Sequence, residues 1–191
     1  KHPNTLSTMA SLGTAYLETE KWDQAIEMLE RAQKSQQVMY GPGHPESIST
    51  ARDLAIVLGI KKKHQEAIEM LEKMVAGSEQ ANGRVHANTQ KMVVYLALAH
   101  RDQGNLERAI ELMEEAAKAF PSPELGYRAT LRDLLKLAGK RDRFAELLKQ
   151  DLKQLKSTQK PDSKLFAYEA VILGSDYLYL EEYGEVERLL R

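Results

Sequence analysis

Residues 25–30 read AIEMLE, and the same six letters return unchanged at residues 67–72. One further step of 42 residues reaches 109–114, which read AIELME. A second motif keeps the same step: HPNT begins at His2, HPES at His44 and HANT at His86. Two motifs that recur together at one fixed interval indicate an array of structural repeats, because each copy forms the same small unit.

The apolar residues of each repeat have helical spacing. Steps of three and four residues give two stripes in the first repeat: Met9, Leu12, Ala15 and Tyr16, then Ala25, Ile26, Leu29 and Ala32. We expect helix A over about 4–18 and helix B over about 21–38, joined by a tight turn. Gly41-Pro42-Gly43 then ends helix B, since glycine accepts positive φ and proline lacks a backbone N–H. One hairpin cannot bury both stripes, so neighbouring repeats must stack.

Residues at fixed positions in these hairpins resemble the tetratricopeptide repeat (TPR) signature. Leu12-Gly13-x-x-Tyr16 precedes Trp22-x-x-Ala25, with small residues where the two helices approach and aromatic residues in the gaps. Leu58 and His100 replace the tyrosine in the next two repeats. Long repeats joined by a G-x-x-H-P loop are similar to those of kinesin light chain. The resemblance implies an all-α, TPR-type α-solenoid, a right-handed superhelix of antiparallel helix pairs.

The register loosens beyond residue 123. A fourth hairpin starts about 38 residues after the third; its apolar residues are Leu131, Leu134, Ala138, Phe144, Leu147 and Leu148. Leu173-Gly174-x-x-Tyr177 with Tyr183-x-x-Val186 marks a fifth, and Pro121, Pro123 and Pro161 fall between helices. We predict a single solenoid over 1–191 with repeats at about 2–43, 44–85, 86–123, 124–162 and 163–191, the last incomplete. The last helix stops at Arg191 without a polar cap, so we expect a piece of a larger protein.

The composition limits the kinds of site and partner. The chain has 191 residues and a formal net charge of −1, which creates no overall attraction to nucleic acid or anionic lipid. Cysteine is absent, which excludes disulfides and thiolate metal sites. No apolar run approaches the roughly 18 residues of a membrane helix, so we expect no membrane association and a cytoplasmic location.

The five histidines raise the question of a metal site. His2, His44 and His86 occupy equivalent loops of successive repeats, so they lie at least a helix spacing of about 8–10 Å apart. Two imidazoles on one zinc ion lie within about 4 Å. We therefore expect these three to structure their loops, and His64 and His100 to be satisfied in interhelical packing.

No motif for catalysis is present. The sequence contains no nucleophile elbow, no zinc-protease helix and no glycine-rich phosphate loop. We predict that the chain is not an enzyme and has no catalytic, cofactor-binding or metal site.

The resemblance implies that helices A line a concave groove, the binding surface of such arrays. In the first two repeats this groove would include Ser7, Ala10, Ser11, Thr14, Glu18, Ser49 and Asp53. Chaperone-binding relatives carry lysine and asparagine where this chain has Ala10 and Thr14. This departure argues against recognition of a chaperone tail. Our candidate peptide-binding residues are Arg52, Ile56, Lys91, Tyr95, Leu98, Arg101, Arg132 and Lys136.

These candidates combine an apolar patch with basic flanks. Such a surface suits an extended peptide with an apolar anchor and acidic neighbours, because anchors supply most of the binding energy and charges set register. An alternative is internal pairing of the arginines, as Arg52–Asp53, Arg101–Asp102 and Arg132–Asp133.

A second basic region covers residues 124–160, with ten basic and five acidic residues. Lys149, Lys153 and Lys156 fall on one helix face there. The face is either a solvated surface or a site for an acidic partner or a nucleic-acid backbone. The lack of interleaved aromatic residues argues against single-strand binding.

The sequence thus predicts a protein–protein interaction module, an adaptor or scaffold that binds a peptide segment or a partner domain on the helix-A groove. The alternative is a regulatory or self-assembly TPR domain of a larger multidomain protein, such as a kinase or a nucleotide-dependent switch. That alternative rests on analogy with relatives.

Overall fold

The computed structural model describes residues 2–119, 125–158 and 163–181, and these ranges contain nine helices and no strand. In chain order they are α1 Pro3–Glu18, α2 Trp22–Tyr40, α3 Pro45–Ile60, α4 His64–Asn82, α5 Ala87–Gln103, α6 Leu106–Ala119, α7 Leu125–Leu137, α8 Arg141–Thr158 and α9 Lys164–Tyr179. Odd-numbered helices are helices A and even-numbered ones are helices B. The all-α repeat fold is confirmed. None of the described helices is long and apolar enough to cross a membrane.

Several predicted features fall outside the described residues. They are Pro121, Pro123, Pro161, the Tyr183-x-x-Val186 half of the fifth signature, and the final helix that ends at Arg191. Predictions that rest on these residues stay predictions.

The first hairpin has almost the predicted bounds, and its turn repeats along the chain. Glu20, Lys62 and Gly104 occupy the same turn position at the 42-residue step, with φ of 60°, 63° and 92°. Glycine enters this region without a steric cost, whereas the other two residues are strained. Gly139 and Glu181 repeat the position and are again 42 residues apart.

The step from the third turn to the fourth is shorter than the others. Gly104 and Gly139 are 35 residues apart, and the sequence predicts about 38. The described part of α6 has 14 residues, against 19 in both α2 and α4. The register therefore breaks after the third helix A and resumes with the full step in the last two repeats.

Contacts between Cα atoms divide the chain into two compact units, residues 1–121 and 122–191. The first contains α1–α6 and the second contains α7–α9. The prediction of one solenoid over 1–191 stays a prediction.

In the first compact unit the helices form two layers. Each helix contacts the next along the chain, and α3 also contacts both α1 and α5. Within the described part of this unit, α2, α4 and α6 make no comparable backbone contacts with one another. Helices A therefore approach one another more closely than helices B, so this unit curves toward helices A and their outer surface is concave.

Gly13 allows the close approach of α1 and α2 that the signature predicts. A Cβ atom at this position would lie 2.6 Å from Leu29 Cγ, well inside van der Waals contact. Leu29 and Ala25 are fully buried, and Tyr16 and Trp22 pack against the same cluster from its edge. Any larger residue at position 13 would force the two helices apart.

Leu12 is 42% exposed, so the prediction that it lies in a buried stripe is wrong. Its equivalents Leu54 and Leu96 are buried, and Leu54 shares a core cluster with Ala25 and Leu29 of the preceding hairpin. Leu12 has no such surface because no described helix precedes α1. Stacking of the preceding hairpin thus buries this position of helix A, and a single hairpin does not.

The three loop histidines are helix N-caps, which confirms their loop-structuring role. The Nδ1 atoms of His2, His44 and His86 accept hydrogen bonds from the backbone N–H groups two residues on, at 3.3, 3.3 and 3.2 Å. Each bond satisfies one of the N–H groups that a helix N-terminus leaves without an intrahelical partner. The recurring histidine therefore marks where each helix A begins.

The structure tests the packing prediction for the other two histidines at His100. His64 is half-buried and opens α4, as Trp22 opens α2. His100 is 8% exposed, and its Nδ1 finds no hydrogen-bond partner among the described residues. The prediction of a fully satisfied His100 is therefore wrong, because the short imidazole keeps its nitrogen within the interhelical space.

Candidate functional site

The candidate site is the surface of α1, α3 and α5 on the concave side of the first compact unit, called here the helix-A face. Six of the predicted candidates lie on these helices: Arg52 and Ile56 on α3, and Lys91, Tyr95, Leu98 and Arg101 on α5. Because α3 contacts α5 directly, side chains from two repeats reach a common surface.

Arg52 of α3 is held by its neighbour Asp53. The Arg52 guanidinium donates to Asp53 Oδ1 through Nε at 2.9 Å and approaches the same oxygen through Nη2 at 2.7 Å. The Asp53 hydrogen bond raises the pKa of Arg52 above its ordinary value; partial burial opposes this rise, while the charge of Asp53 and, last, Tyr95 add to it. The Asp53 carboxylate thus holds Arg52 in place as a cation.

The other candidates of this face differ in how far they are exposed. Ile56 is 47% exposed, a large apolar side chain without full cover. Tyr95 and Leu98 are half-buried, and Lys91 is exposed. Arg101 pairs with Asp102 at 2.7 Å, so the predicted alternative of internal pairing holds for both Arg52 and Arg101.

Arg132 and Lys136 lie in the second compact unit and are bound by its carboxylates. Arg132 is 1% exposed; its Nε donates to Asp176 Oδ2 at 2.7 Å, and its guanidinium also pairs with Asp151. Lys136 pairs with Asp176. The predicted Arg132–Asp133 pair is wrong, because α8 and α9 bring other carboxylates to the buried guanidinium. A buried arginine presents no surface to a partner in this conformation.

The basic stripe of the second compact unit is on the surface. Lys149, Lys153 and Lys156 of α8 are all exposed. No ion pair of these three is found among the described residues, and both interpretations of the stripe, a solvated face or a site for an acidic partner, stay predictions.

A polar pocket of about 170 Å³ lies between α1 and α3. The structure brings together there the predicted groove residues Ser7, Ala10, Ser11, Thr14, Ser49 and Asp53. Thr14 Oγ1 donates to Asp53 Oδ2 at 2.8 Å and so links the first two repeats.

Sequence reasoning missed three residues of this pocket, Gln36, Glu46 and Thr50. Gln36 belongs to helix B, which the groove hypothesis does not consider. A signal was present, since Gln33 and Gln36 are polar residues that continue the apolar stripe of α2 beyond Leu29 and Ala32. Buried glutamines at stripe positions indicate a polar function or a polar contact.

The described residues contain no group of three or more histidine, aspartate or glutamate side chains that could hold a metal ion. The histidines of the G-x-x-H-P loops are occupied as caps. The side chains of the helix-A face are suited to hydrogen bonding, ion pairing and apolar contact.

Solved structures with the same fold include close matches in length. TPR-like repeats of a kinesin light chain from Podosopora anserina, nearly identical to one another, align over 100% of this chain and 93% of that chain, with 24% identity and a TM-score of 0.72. BtubC from P. vanneervenii aligns over 83% of this chain and 67% of that chain, with 15% identity and a TM-score of 0.64. A double mutant of MamA RS-1 aligns over 83% of this chain and 80% of that chain, with 20% identity and a TM-score of 0.55. These likenesses concern the fold.

No protein with a curated description matches the sequence. Two models of the tetratricopeptide repeat do match it, one at residues 4–80 and the other at residues 85–132. Together they cover most of the chain and include the first three hairpins, which carry Leu12-Gly13-x-x-Tyr16 and its two variants. The chain therefore belongs to the tetratricopeptide repeat family, whose members typically act as protein-interaction modules.

Proposed function

We propose that the helix-A face of the first compact unit binds an extended peptide segment of a partner protein, so that the chain acts as an adaptor or scaffold. The observation that carries the proposal is Ile56, which is 47% exposed and lies one helical turn from Arg52 on α3. Arginine and tyrosine, the latter present as Tyr95 on the neighbouring α5, are residue types that binding hot spots favour.

The charges support a peptide with acidic residues beside its anchor. Arg52 uses two of its nitrogens on Asp53, and a guanidinium has five N–H donors, so donors remain for a second carboxylate. Lys91 is exposed, and the described residues contain no ion pair of its ammonium group. Arg52 and Ile56 are four residues apart on α3. Lys91, Tyr95 and Leu98 follow one another at steps of four and three on α5, so each cation shares a helix face with an apolar residue.

The surface we propose leaves out two of the eight sequence candidates. Arg132 is buried, and Lys136 is bound to Asp176 in the second compact unit. Neither side chain is free to pair with a peptide without giving up a carboxylate of its own unit.

The test is a selection from a random-sequence peptide display library on the immobilised chain. We expect enriched peptides to share an aromatic or aliphatic residue with Asp or Glu beside it. We expect Tyr95→Ala or Ile56→Asp to lower the affinity for these peptides about tenfold or more, as loss of a hot-spot residue does; fluorescence anisotropy measures the change.

The matched control is Val38→Ala, which truncates an exposed apolar residue on helix B. It should leave the affinity unchanged. Peptides that bind Tyr95→Ala and Ile56→Asp as tightly as the wild-type chain would refute the helix-A face as the binding surface.

Self-association is the second candidate function, and Leu12 favours it. Its equivalent Leu54 shares a core cluster with Ala25 and Leu29 of the first hairpin, and Leu12, 42% exposed, offers an apolar surface of the same kind to a second copy. Sedimentation velocity over a range of concentrations tests this. We expect a concentration-dependent shift that Leu12→Asp abolishes; a monomer at every concentration rejects it.

A further inference from the structure

The polar pocket between α1 and α3 has a composition of its own. Of its nine lining residues only Ala10 is apolar, and none is lysine or arginine. Two of them are carboxylates, Glu46 and Asp53. We propose that this pocket binds a basic side chain, lysine or arginine, of the peptide that occupies the helix-A face; the inference rests on the function proposed above.

The first argument is an unsatisfied acceptor. Gln36 lines the pocket, is 1% exposed, and its Oε1 has no hydrogen-bond partner among the described residues. A buried carbonyl oxygen without a donor costs free energy, and polar groups in this state are rare in folded proteins. A donor that enters the pocket would remove that cost, so the pocket favours a ligand rich in N–H groups.

The second argument is charge. Asp53 is 5% exposed and has already accepted from Thr14 and Arg52, which neutralises part of its charge. Glu46 is exposed at the pocket rim, and its carboxylate forms no ion pair with the described residues. With Asp53 balanced by Arg52, Glu46 leaves at the rim one negative charge that is unpaired among the described residues, and this charge attracts a cation and repels a carboxylate.

An anionic ligand is disfavoured for a further reason. The pocket lies at the N-terminal end of α3, which would attract an anion. Here His44 accepts from one of the free N–H groups, and Glu46 already provides a negative charge in the first turn. The helix terminus is thus compensated from within the chain.

A basic side chain matches the remaining features. Its aliphatic stem can lie against Ala10, while an ammonium group offers three donors and a guanidinium five. The Asp53 and Glu46 carboxylates are the acceptors, and the buried Gln36 Oε1 becomes a third when its side chain rotates toward the bound group.

The position of the pocket sets the spacing within the peptide. The pocket lies between α1 and α3, and the apolar candidates lie on α3 (Ile56) and on the next helix A, α5 (Tyr95 and Leu98). Adjacent packed helices are about 8–10 Å apart, which about three residues of extended chain span. The bound segment should therefore carry its basic residue about three positions from its apolar anchor.

The test is a titration of the ¹⁵N-labelled chain, followed by NMR, with N-acetyl-lysine methylamide and N-acetyl-arginine methylamide. N-acetyl-norleucine methylamide serves as the neutral control. We expect the basic compounds to shift the Gln36 side-chain amide and the backbone amides of Ser11 and Thr50, with no such shifts from the neutral one. The stronger of the two basic compounds identifies the preferred side chain.

Two variants separate binding from folding. Glu46→Gln changes an exposed residue, and Gln36→Met keeps the volume of a buried one. Each variant should bind the lysine compound about fivefold more weakly or worse. The rest of its NMR spectrum should match that of the wild-type chain. Equal shifts from the norleucine compound, shifts confined to other residues, or no shift at the pocket would each overturn the proposal.

The peptide selection distinguishes this failure from failure of the proposed function. Enriched peptides with an apolar anchor and no basic residue about three positions away would leave the helix-A face in place and remove the basic-side-chain pocket. The lysine compound could instead shift the pocket amides while the enriched peptides prove insensitive to Tyr95→Ala. That result would keep the basic-side-chain pocket and reject the helix-A face as the peptide-binding surface.

Discussion

Arg132 Nε on α7 donates to Asp176 Oδ2 on α9 at 2.7 Å, and both side chains are almost completely buried. The same guanidinium pairs with Asp151 on α8, to which Arg128 also binds. One buried cation therefore connects all three helices of the second compact unit. Such a network is costly to disrupt from one side, because the remaining partner is left as an uncompensated buried charge.

Asp176→Asn should destabilise the second compact unit by about 3–5 kcal/mol, since it removes the carboxylate that Arg132 and Lys136 share. Urea denaturation and hydrogen exchange of the α7–α9 amides measure the loss. Asp133→Asn is the control, because that carboxylate is mostly exposed and meets Lys136 at 3.7 Å. It should cost less than about 1 kcal/mol. Equal effects of the two substitutions would show that burial does not matter here.

The same network makes Arg132→Glu a poor probe of peptide binding. The substitution would place a third carboxylate with Asp151 and Asp176 in a buried site. A loss of binding by that variant would report unfolding.

His100 should make the fold sensitive to acid. Burial, and then the charge of Arg108, lower the pKa of the His100 imidazole below its ordinary value, with Glu72 opposing them. The unfolded chain therefore takes up a proton at a higher pH than the folded chain. Neutral His100 therefore makes its full contribution to the free energy of unfolding above the pKa of the unfolded chain, about 6.5. That contribution is lost as the pH falls from there toward the lower pKa of the folded chain.

His100→Tyr tests this dependence, because Tyr16 occupies the equivalent position in the first repeat. The midpoint of thermal unfolding should fall less steeply between neutral and mildly acidic pH in the variant than in the wild-type chain. The other four histidines are common to both proteins, so the difference isolates position 100. Parallel pH profiles would contradict the assignment.

His86 should stabilise the start of α5 through its cap. His86→Ala removes the acceptor for the Asn88 N–H, which lies 3.2 Å from Nδ1, and should cost about 1 kcal/mol in urea denaturation. His86→Asp supplies another acceptor and should recover most of that loss. An alanine variant as stable as the wild-type chain would mean that the histidine is not needed as a cap.

The repeat of AIEMLE and of the histidine loops was sufficient to predict the hairpins. Helix A was predicted over about 4–18 and helix B over about 21–38, and α1 and α2 span Pro3–Glu18 and Trp22–Tyr40. The turn and the caps involve residues two to five apart, so their causes lie within a short window of sequence. Repetition at one interval then implies stacking.

Tertiary structure alone decided which of these residues is buried, paired or left without a partner. Leu12 and Leu54 occupy equivalent positions, yet the preceding hairpin covers only Leu54. Arg132 has Asp133 as its neighbour in sequence and instead binds Asp176, 44 residues away. Helical period is a short-range property that the sequence by itself determines, whereas partners from other helices depend on how the hairpins pack.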